Sequence, residues 1–269
     1  MMNKAMSAAV LASCLLSSMA LSWPTCAMSE EEIQQDLPEN DESNVTAEEA
    51  PESPWSLEIS TGVFTSYMWR GFKVYDGAAV QPSIDLSFDT GAGVLGANGW
   101  MHFSADSDKT EERFTEFDGT LRYEIEAGPA TVALGHLWYT YPHPWNRTSI
   151  PHTNEFFGSL SFALPVVPTL SVYEDYEEFH NQYYELALSH EFSRLWGPET
   201  SFALYASFGF ASNAEKVYDE NGLEQVTVGM LVTLPIGPFS LSPSVNYTFK
   251  VDEATINQFW SGMVMSYSF

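Results

Sequence analysis

Apolar and polar residues alternate along most of the chain beyond Pro54. Successive side chains of a β-strand point to opposite faces, so a period of two predicts strands with one apolar face. In residues 115–127 the odd positions from Phe117 to Ile125 are apolar or glycine, whereas the even positions are Glu, Asp, Thr or Arg. No segment of useful length shows the periodicity of an amphipathic helix.

Twelve segments of this kind follow one another, and most have the length that a tilted strand needs to cross a bilayer. They are residues 55–70, 79–90, 93–106, 115–127, 129–141, 154–164, 168–177, 182–193, 200–212, 223–235, 239–251 and 257–269. Tight Gly- and Pro-containing turns alternate with mostly longer polar loops, which is typical of outer-membrane barrels. We therefore predict an all-β fold for residues 54–269, an up-and-down antiparallel transmembrane β-barrel of about twelve strands.

Aromatic residues stand near the ends of several predicted strands, in a chain that is 14% aromatic and 17% charged. Rings at strand ends are typical of the membrane interface, so we expect Tyr67, Trp69, Tyr247 and Phe269 to be interface anchors. The last predicted strand ends on Phe269. We expect this strand to be recognised by the barrel-assembly machinery as well.

The first 27 residues are typical of a secretory signal peptide, because Lys4 precedes an apolar stretch at residues 5–21 and cleavage fits after Ala20 or Ala27. Cys14 and Cys26 both lie here, so cleavage after Ala27 leaves no cysteine for disulfide chemistry. A lipoprotein processing site at Cys14 is the alternative, although the apolar stretch continues beyond it.

An acidic segment follows at residues 28–53. Residues 30–52 hold ten Asp and Glu residues and no Lys or Arg. Such a composition cannot bury enough apolar surface to fold, so we predict a disordered periplasmic segment.

Two patterns carry a family resemblance. Residues 65–72 (TSYMWRGF) are followed by residues 81–88 (QPSIDLSF), and residues 183–192 read YYELALSHEF. Both patterns resemble the TorF-like and related outer-membrane porin family. The resemblance implies a Gram-negative outer-membrane barrel that acts as a channel, and it supplies no catalytic residues.

The sequence offers little enzymatic or metal chemistry. The six histidines are scattered, and no close pair shares a strand face, so we expect no metal and no cofactor. His102 and Ser104 have the spacing of the outer-membrane phospholipase A pair, but they fall on the predicted lumen face. His180 near Asp175 and Glu178 is the nearest approach to a barrel protease. We therefore expect that the protein is not an enzyme.

The predicted lumen face is acidic. Its candidate pore-lining residues are Glu58, Arg70, Asp85, Asp106, Glu116, Asp118, Arg122, Glu124, Glu155 and Glu185. An acidic lumen with a low-dielectric wall concentrates cations and repels anions. We expect Arg70 to pair with one of these acids rather than to bind a specific substrate.

These patterns together predict a channel for passive diffusion of small solutes, preferably cations. We expect it in the bacterial outer membrane with both termini in the periplasm. Its expected partners are membrane lipids, small solutes and the barrel-assembly machinery, and no nucleic acid. The alternatives are a closed structural or surface-interaction barrel and, third, a barrel enzyme.

Overall fold

The computed structural model describes residues 53–105, 113–142, 152–194, 197, 200–218 and 220–269. The predicted signal peptide and nearly all of the predicted acidic segment lie outside these residues and stay predictions. The described residues contain fourteen β-strands. A search of them finds no helix long and apolar enough to cross a membrane.

Twelve of the strands form one closed antiparallel barrel, in which strands adjacent along the chain pair and the first pairs with the last. The strands are β1 (Trp55–Phe64), β2 (Tyr67–Trp69), β3 (Phe72–Tyr75), β4 (Ala79–Asp89), β5 (Val94–Ser104), β6 (Phe114–Ala127), β7 (Ala130–Thr140), β8 (Thr153–Phe162), β9 (Val167–Asp175), β10 (Gln182–Ser193), β11 (Ser201–Ser212), β12 (Gly222–Ile236), β13 (Phe239–Phe249) and β14 (Gln258–Ser268). The barrel consists of β1 and β4–β14, which confirms the predicted fold class and strand number.

The first predicted segment departs from the structure. Instead of one strand over residues 55–70, β1 ends at Phe64, and β2 and β3 form a separate two-stranded hairpin. Arg70 and Gly71 reverse the chain with φ angles of 45° and 87°, both in the left-handed region. The alternation of apolar residues continues from β1 into β2, so the sequence pattern alone does not show that β1 ends at Phe64.

Pairing between β1 and β14 closes the barrel. Seven residue pairs run antiparallel from Glu58 with Ser268 to Phe64 with Gly262, and the Phe269 amide donates to the Leu57 carbonyl at 2.9 Å. Closure leaves no strand edge in the sheet, which is the condition for β-structure to lie in a bilayer.

The outer surface of the barrel is apolar. Leu134, Ile59, Leu170 and Met265 each expose between 45% and 64% of their surface, although each lies within a barrel strand. Neighbouring inward positions are buried and mostly small or polar, as Ser60 and Ser266 show. The outward face matches the hydrocarbon layer of a membrane, and the inward face encloses a polar lumen.

The described residues of the long-loop end are 65–78, 105, 113, 141–142, 152, 176–181, 213–218, 220–221 and 250–257. Those of the short-turn end are 90–93, 128–129, 163–166, 194, 197, 200 and 237–238. The β2–β3 hairpin belongs to the first long loop, so it enters the barrel from the long-loop end.

Replacing Leu134 by Arg tests the assignment of the two faces. We expect a loss of about 2–4 kcal/mol in unfolding free energy in lipid vesicles, because a cation then faces the hydrocarbon layer. Ser159→Arg is the matched control, since Ser159 is on the inward face of the adjoining strand β8, and should cost less. Urea unfolding monitored by tryptophan fluorescence measures both. Equal losses would contradict the assignment.

Candidate functional site

The β2–β3 hairpin packs inside the barrel. Tyr67 and Tyr75 pair across it, and only 3% and 2% of their surfaces are exposed. The Tyr67 ring lies 4.8 Å from the His102 ring and 5.5 Å from the Trp100 ring, measured between centroids. Both partners point inward from β5. The flank of the hairpin therefore rests on the inner wall.

The tip of the hairpin is fixed by an ion pair with a distant strand. The Arg70 guanidinium donates from Nη1 to Glu155 Oε1 and from Nη2 to Glu155 Oε2, each at 2.7 Å. Arg70 is 5% exposed and Glu155, on β8, is 3% exposed. The predicted pairing of Arg70 with a lumen acid is confirmed, and its geometry is the strong, bidentate form.

Three aromatic rings surround the same guanidinium. The Arg70 Cζ atom lies 4.7 Å from the Trp69 ring centroid, 4.4 Å from that of Tyr173 and 4.5 Å from that of Tyr183. Such distances allow cation–π attraction, which strengthens when water is excluded. We call Arg70, Glu155 and these three rings the latch.

The prediction of interface anchors is therefore wrong for two of the four residues. Tyr67 lies buried in the hairpin, and Trp69 is a half-buried part of the latch. Both sit at the apparent end of a strand in the sequence, but that strand has already ended at Phe64. Tyr247 and Phe269 do lie on the outward side, and Phe269 is 68% exposed.

The loop between β11 and β12 also contacts the hairpin. Tyr218 donates a hydrogen bond to the Arg70 carbonyl oxygen at 3.2 Å, and its ring stacks on that of Phe72 at 4.6 Å. Gly71 lies against β12, where an added Cβ would come within 2.5 Å of the Glu224 carbonyl oxygen. The hairpin is thus held on several sides.

The acids of the long-loop half are buried. Glu116, Asp118, Glu155 and Glu185 each expose 7% or less of their surface. Neither carboxylate oxygen of Asp118 has a hydrogen-bond partner among the described residues. Burial opposes the charge of Arg70, but the adjacent Glu155 carboxylate together with Tyr139 and Tyr218 outweighs burial, so the pKa of Arg70 lies above its usual range.

The acids of the short-turn half are more open. Arg122 binds Asp85 through both terminal nitrogens, at 2.7 and 2.9 Å, and Glu124 through Nε at 2.6 Å. The side chains of Asp85 and Glu124 are each 15% exposed. Glu58, on β1, lies opposite Asp85, on β4, and accepts a hydrogen bond from the Ser268 hydroxyl. Asp106 lies outside the described residues.

Sequence reasoning missed the rings on the inner wall. Tyr173 and Tyr183 stand at odd positions, which are the inward positions of β9 and β10, and both are buried. The available signal was an aromatic residue on an otherwise polar strand face. In the structure the Tyr183 ring lies over Gly209 of β11, where an added Cβ would clash with it.

The other residues considered for enzymatic chemistry make structural contacts. His102 is fully buried on the inward face, and the Ser104 hydroxyl bonds to Tyr75. The Asp175 carboxylate accepts backbone N–H groups from residues 177–180 and so orders the following loop. No group of three or more His, Cys, Asp or Glu side chains suited to a metal ion is found in the described part of the chain.

Residues 48–221 match the model of a protein family, Gcw_chp, which is described as a bacterial protein of unknown function. The chain belongs to this family. In this Gcw_chp chain the matched residues contain strands β1–β11, among them the β2–β3 hairpin. Strands β12–β14 follow them and complete the barrel. No curated protein sequence shows significant similarity to it.

Solved structures of outer-membrane proteins are similar at low identity. An outer membrane channel from Pseudomonas putida F1 has a TM-score of 0.49 and 12% identity, over 85% of this chain and all of that one. LpxR from Salmonella typhimurium has a TM-score of 0.48 and 12% identity, over 79% and 99% of the two chains. The NanC porin has a TM-score of 0.48 and 10% identity, over 79% and 98%.

Gly71→Ala tests how tightly the hairpin is seated. Gly91→Ala is a matched control, because Gly91 has a similar φ of 78° but nothing within 4 Å of an added Cβ. The control should lose about 1–2 kcal/mol of unfolding free energy from backbone strain alone. Gly71→Ala should lose more, since the hairpin must also move away from β12. Urea unfolding of the folded protein in detergent measures both, and equal losses would contradict the close seating.

A double-mutant cycle tests the latch. Arg70→Met or Glu155→Leu alone should cost about 3–5 kcal/mol of unfolding free energy, because each leaves an unpaired buried charge. The double variant should recover much of that loss. The Lys250–Glu253 pair, whose side chains are 41% and 81% exposed, is the control cycle and should couple by at most about 1 kcal/mol. Additive losses at Arg70 and Glu155 would contradict the latch.

Proposed function

We propose that this protein is a bacterial outer-membrane channel for passive diffusion of small solutes, and that its lumen favours cations. The observation that carries the proposal is an enclosed, acid-rich interior within a closed barrel whose outer face is apolar. A barrel with this exterior belongs in a membrane, and its polar interior then connects the two sides. The resemblance of residues 65–72 to the TorF-like porins supports the same function.

The balance of charge supports a preference for cations. In the long-loop half, the single guanidinium of Arg70 faces four buried carboxylates, those of Glu116, Asp118, Glu155 and Glu185. In the short-turn half, Arg122 faces Asp85 and Glu124. Carboxyl groups therefore outnumber guanidinium groups in both halves. A low-dielectric wall focuses the field of those that are ionised on permeating ions.

The proposed topology places both termini in the periplasm. In this proposal residues 1–27 direct export, residues 28–53 are the acidic periplasmic segment, and the barrel-assembly machinery recognises β14. Phe269 and Tyr247 lie on the outward side close to opposite ends of the barrel. Both positions fit interface anchoring, since amphipathic rings favour the headgroup level.

A closed structural barrel is the second candidate. The observation that favours it is the hairpin, because its rings and the latch occupy the long-loop half of the lumen. In that case the protein does not conduct, and the long loops contact a partner. Measuring conductance separates the two candidates.

Purified, heat-modifiable protein in a planar bilayer should give discrete conductance steps. Under a KCl gradient, the reversal potential should show that K⁺ permeates more readily than Cl⁻, because of the acidic lumen. Folded protein without any conductance would overturn the channel and leave the closed barrel.

The triple variant Glu116→Gln, Asp118→Asn and Glu124→Gln tests which charges act on the permeating ion. Its cation-to-anion permeability ratio should fall roughly two- to tenfold, because removing lumen charge weakens the local field. Glu253→Gln is the control, since Glu253 is 81% exposed in a long loop, and should leave the ratio unchanged. An unchanged ratio in the triple variant would mean that these acids do not face the pathway.

A further inference from the structure

The groups that hold the Arg70 guanidinium come mainly from the barrel wall. Glu155 on β8 provides both oxygens, and Tyr173 on β9 and Tyr183 on β10 provide two of the three rings. Trp69 is the one member of the latch besides Arg70 that belongs to the hairpin. The wall therefore presents a nearly complete pocket for a planar cation, whichever molecule carries that cation.

This wall pocket is held in place by contacts that do not involve the hairpin. The Tyr139 hydroxyl donates to Glu155 Oε2 at 2.8 Å. The Tyr183 hydroxyl donates to Gln225 Oε1 at 2.8 Å, and Gln225 in turn donates to the Ser207 hydroxyl at 2.8 Å. These bonds fix the Glu155 carboxylate and the Tyr183 ring before a cation arrives, which is the general condition for a preorganised site.

Burial also makes the pocket favour a cation. Glu155 is 3% exposed, and Arg70 is the counter-ion bound to both of its carboxylate oxygens. A buried carboxylate without a counter-ion carries a large desolvation cost. If Arg70 is removed, the pocket keeps its negative charge and its rings, and a cation from solution relieves that cost.

We propose that Tyr139, Glu155, Tyr173 and Tyr183 form a binding site for guanidinium cations, which Arg70 occupies from within the same chain. The chemistry selects a guanidinium over an ammonium. A planar fork matches both carboxylate oxygens and lies flat against rings, whereas an ammonium is a compact point charge without that shape. Binding does not require conduction, so the site goes beyond the channel proposed above.

Chemical rescue of Arg70→Ala tests the site in the full chain folded in detergent. Guanidinium chloride at millimolar concentration should raise the melting temperature saturably, by about 3–6 °C at ten times its half-saturating concentration. Half-saturation should lie at roughly 0.1–10 mM, because so small a cation binds weakly. Melting is followed by the change in gel mobility on heating. Methylammonium chloride at equal ionic strength should give a smaller shift.

Two further proteins make the test specific. The unmodified protein should show no shift at these concentrations, because the tethered Arg70 competes at a high effective concentration. Arg70→Ala combined with Glu155→Gln should show none either, because the carboxylate is gone. Equal shifts in all three proteins, no shift in Arg70→Ala, or an equal shift with methylammonium would overturn the site.

If Arg70→Ala does not fold without added guanidinium, its refolding yield tests the site instead. Its yield of heat-modifiable protein should then rise severalfold with guanidinium chloride at 10 mM, roughly the upper half-saturating concentration. Methylammonium should raise it less. Equal yields with the two salts would contradict the site. Neither readout uses current, so failure of the channel proposal and failure of this one are distinguishable.

Discussion

The pairing of β1 with β14 is the constraint on which the rest of the molecule depends. Once the two strands join, no backbone edge in the sheet is left unpaired, and every barrel strand has one face outside and one inside. The outer face carries large apolar side chains, and the inner face must then accept the acids, hydroxyls and rings. Twelve strands enclose more space than small side chains fill, so a short hairpin fits within the wall.

The latch shows what this enclosed space does to charge. Arg70 and Glu155 lose nearly all their water, and their attraction is balanced against a large desolvation cost, so the pair is weak evidence for added stability. Its clearer consequence is position, because a bidentate pair with surrounding rings fixes the hairpin tip at one place on the wall. Arg70 also holds a left-handed φ of 45°, a strain that the surrounding contacts outweigh.

Period-two alternation predicted the barrel together with segment length and the alternation of short turns with longer loops. The alternation arises because lipid and lumen impose opposite polarity on neighbouring residues such as Phe117 and Asp118. The pairing of Arg70 with an acid also followed from the sequence, since a cation on a face with many more carboxylates than cations is expected to pair with one of them. The inward turn after Phe64 did not follow. Tyr67 and Trp69 keep the parity of β1, so their alternation predicts lipid contact, whereas only the three-dimensional path of the chain brings them inside.

Small residues on the inner face of a barrel do not always leave free space. In the structure, glycines receive rings: an added Cβ would lie 2.0 Å from the Phe64 ring at Gly262, and 2.5 Å or less from the Tyr205 ring at Gly229 and the Phe157 ring at Gly135. A glycine opposite a large ring contributes wall contact rather than free space, since interiors pack closely. The space left for a solute therefore depends on where the rings of the hairpin and the latch lie, and strand number alone does not determine it.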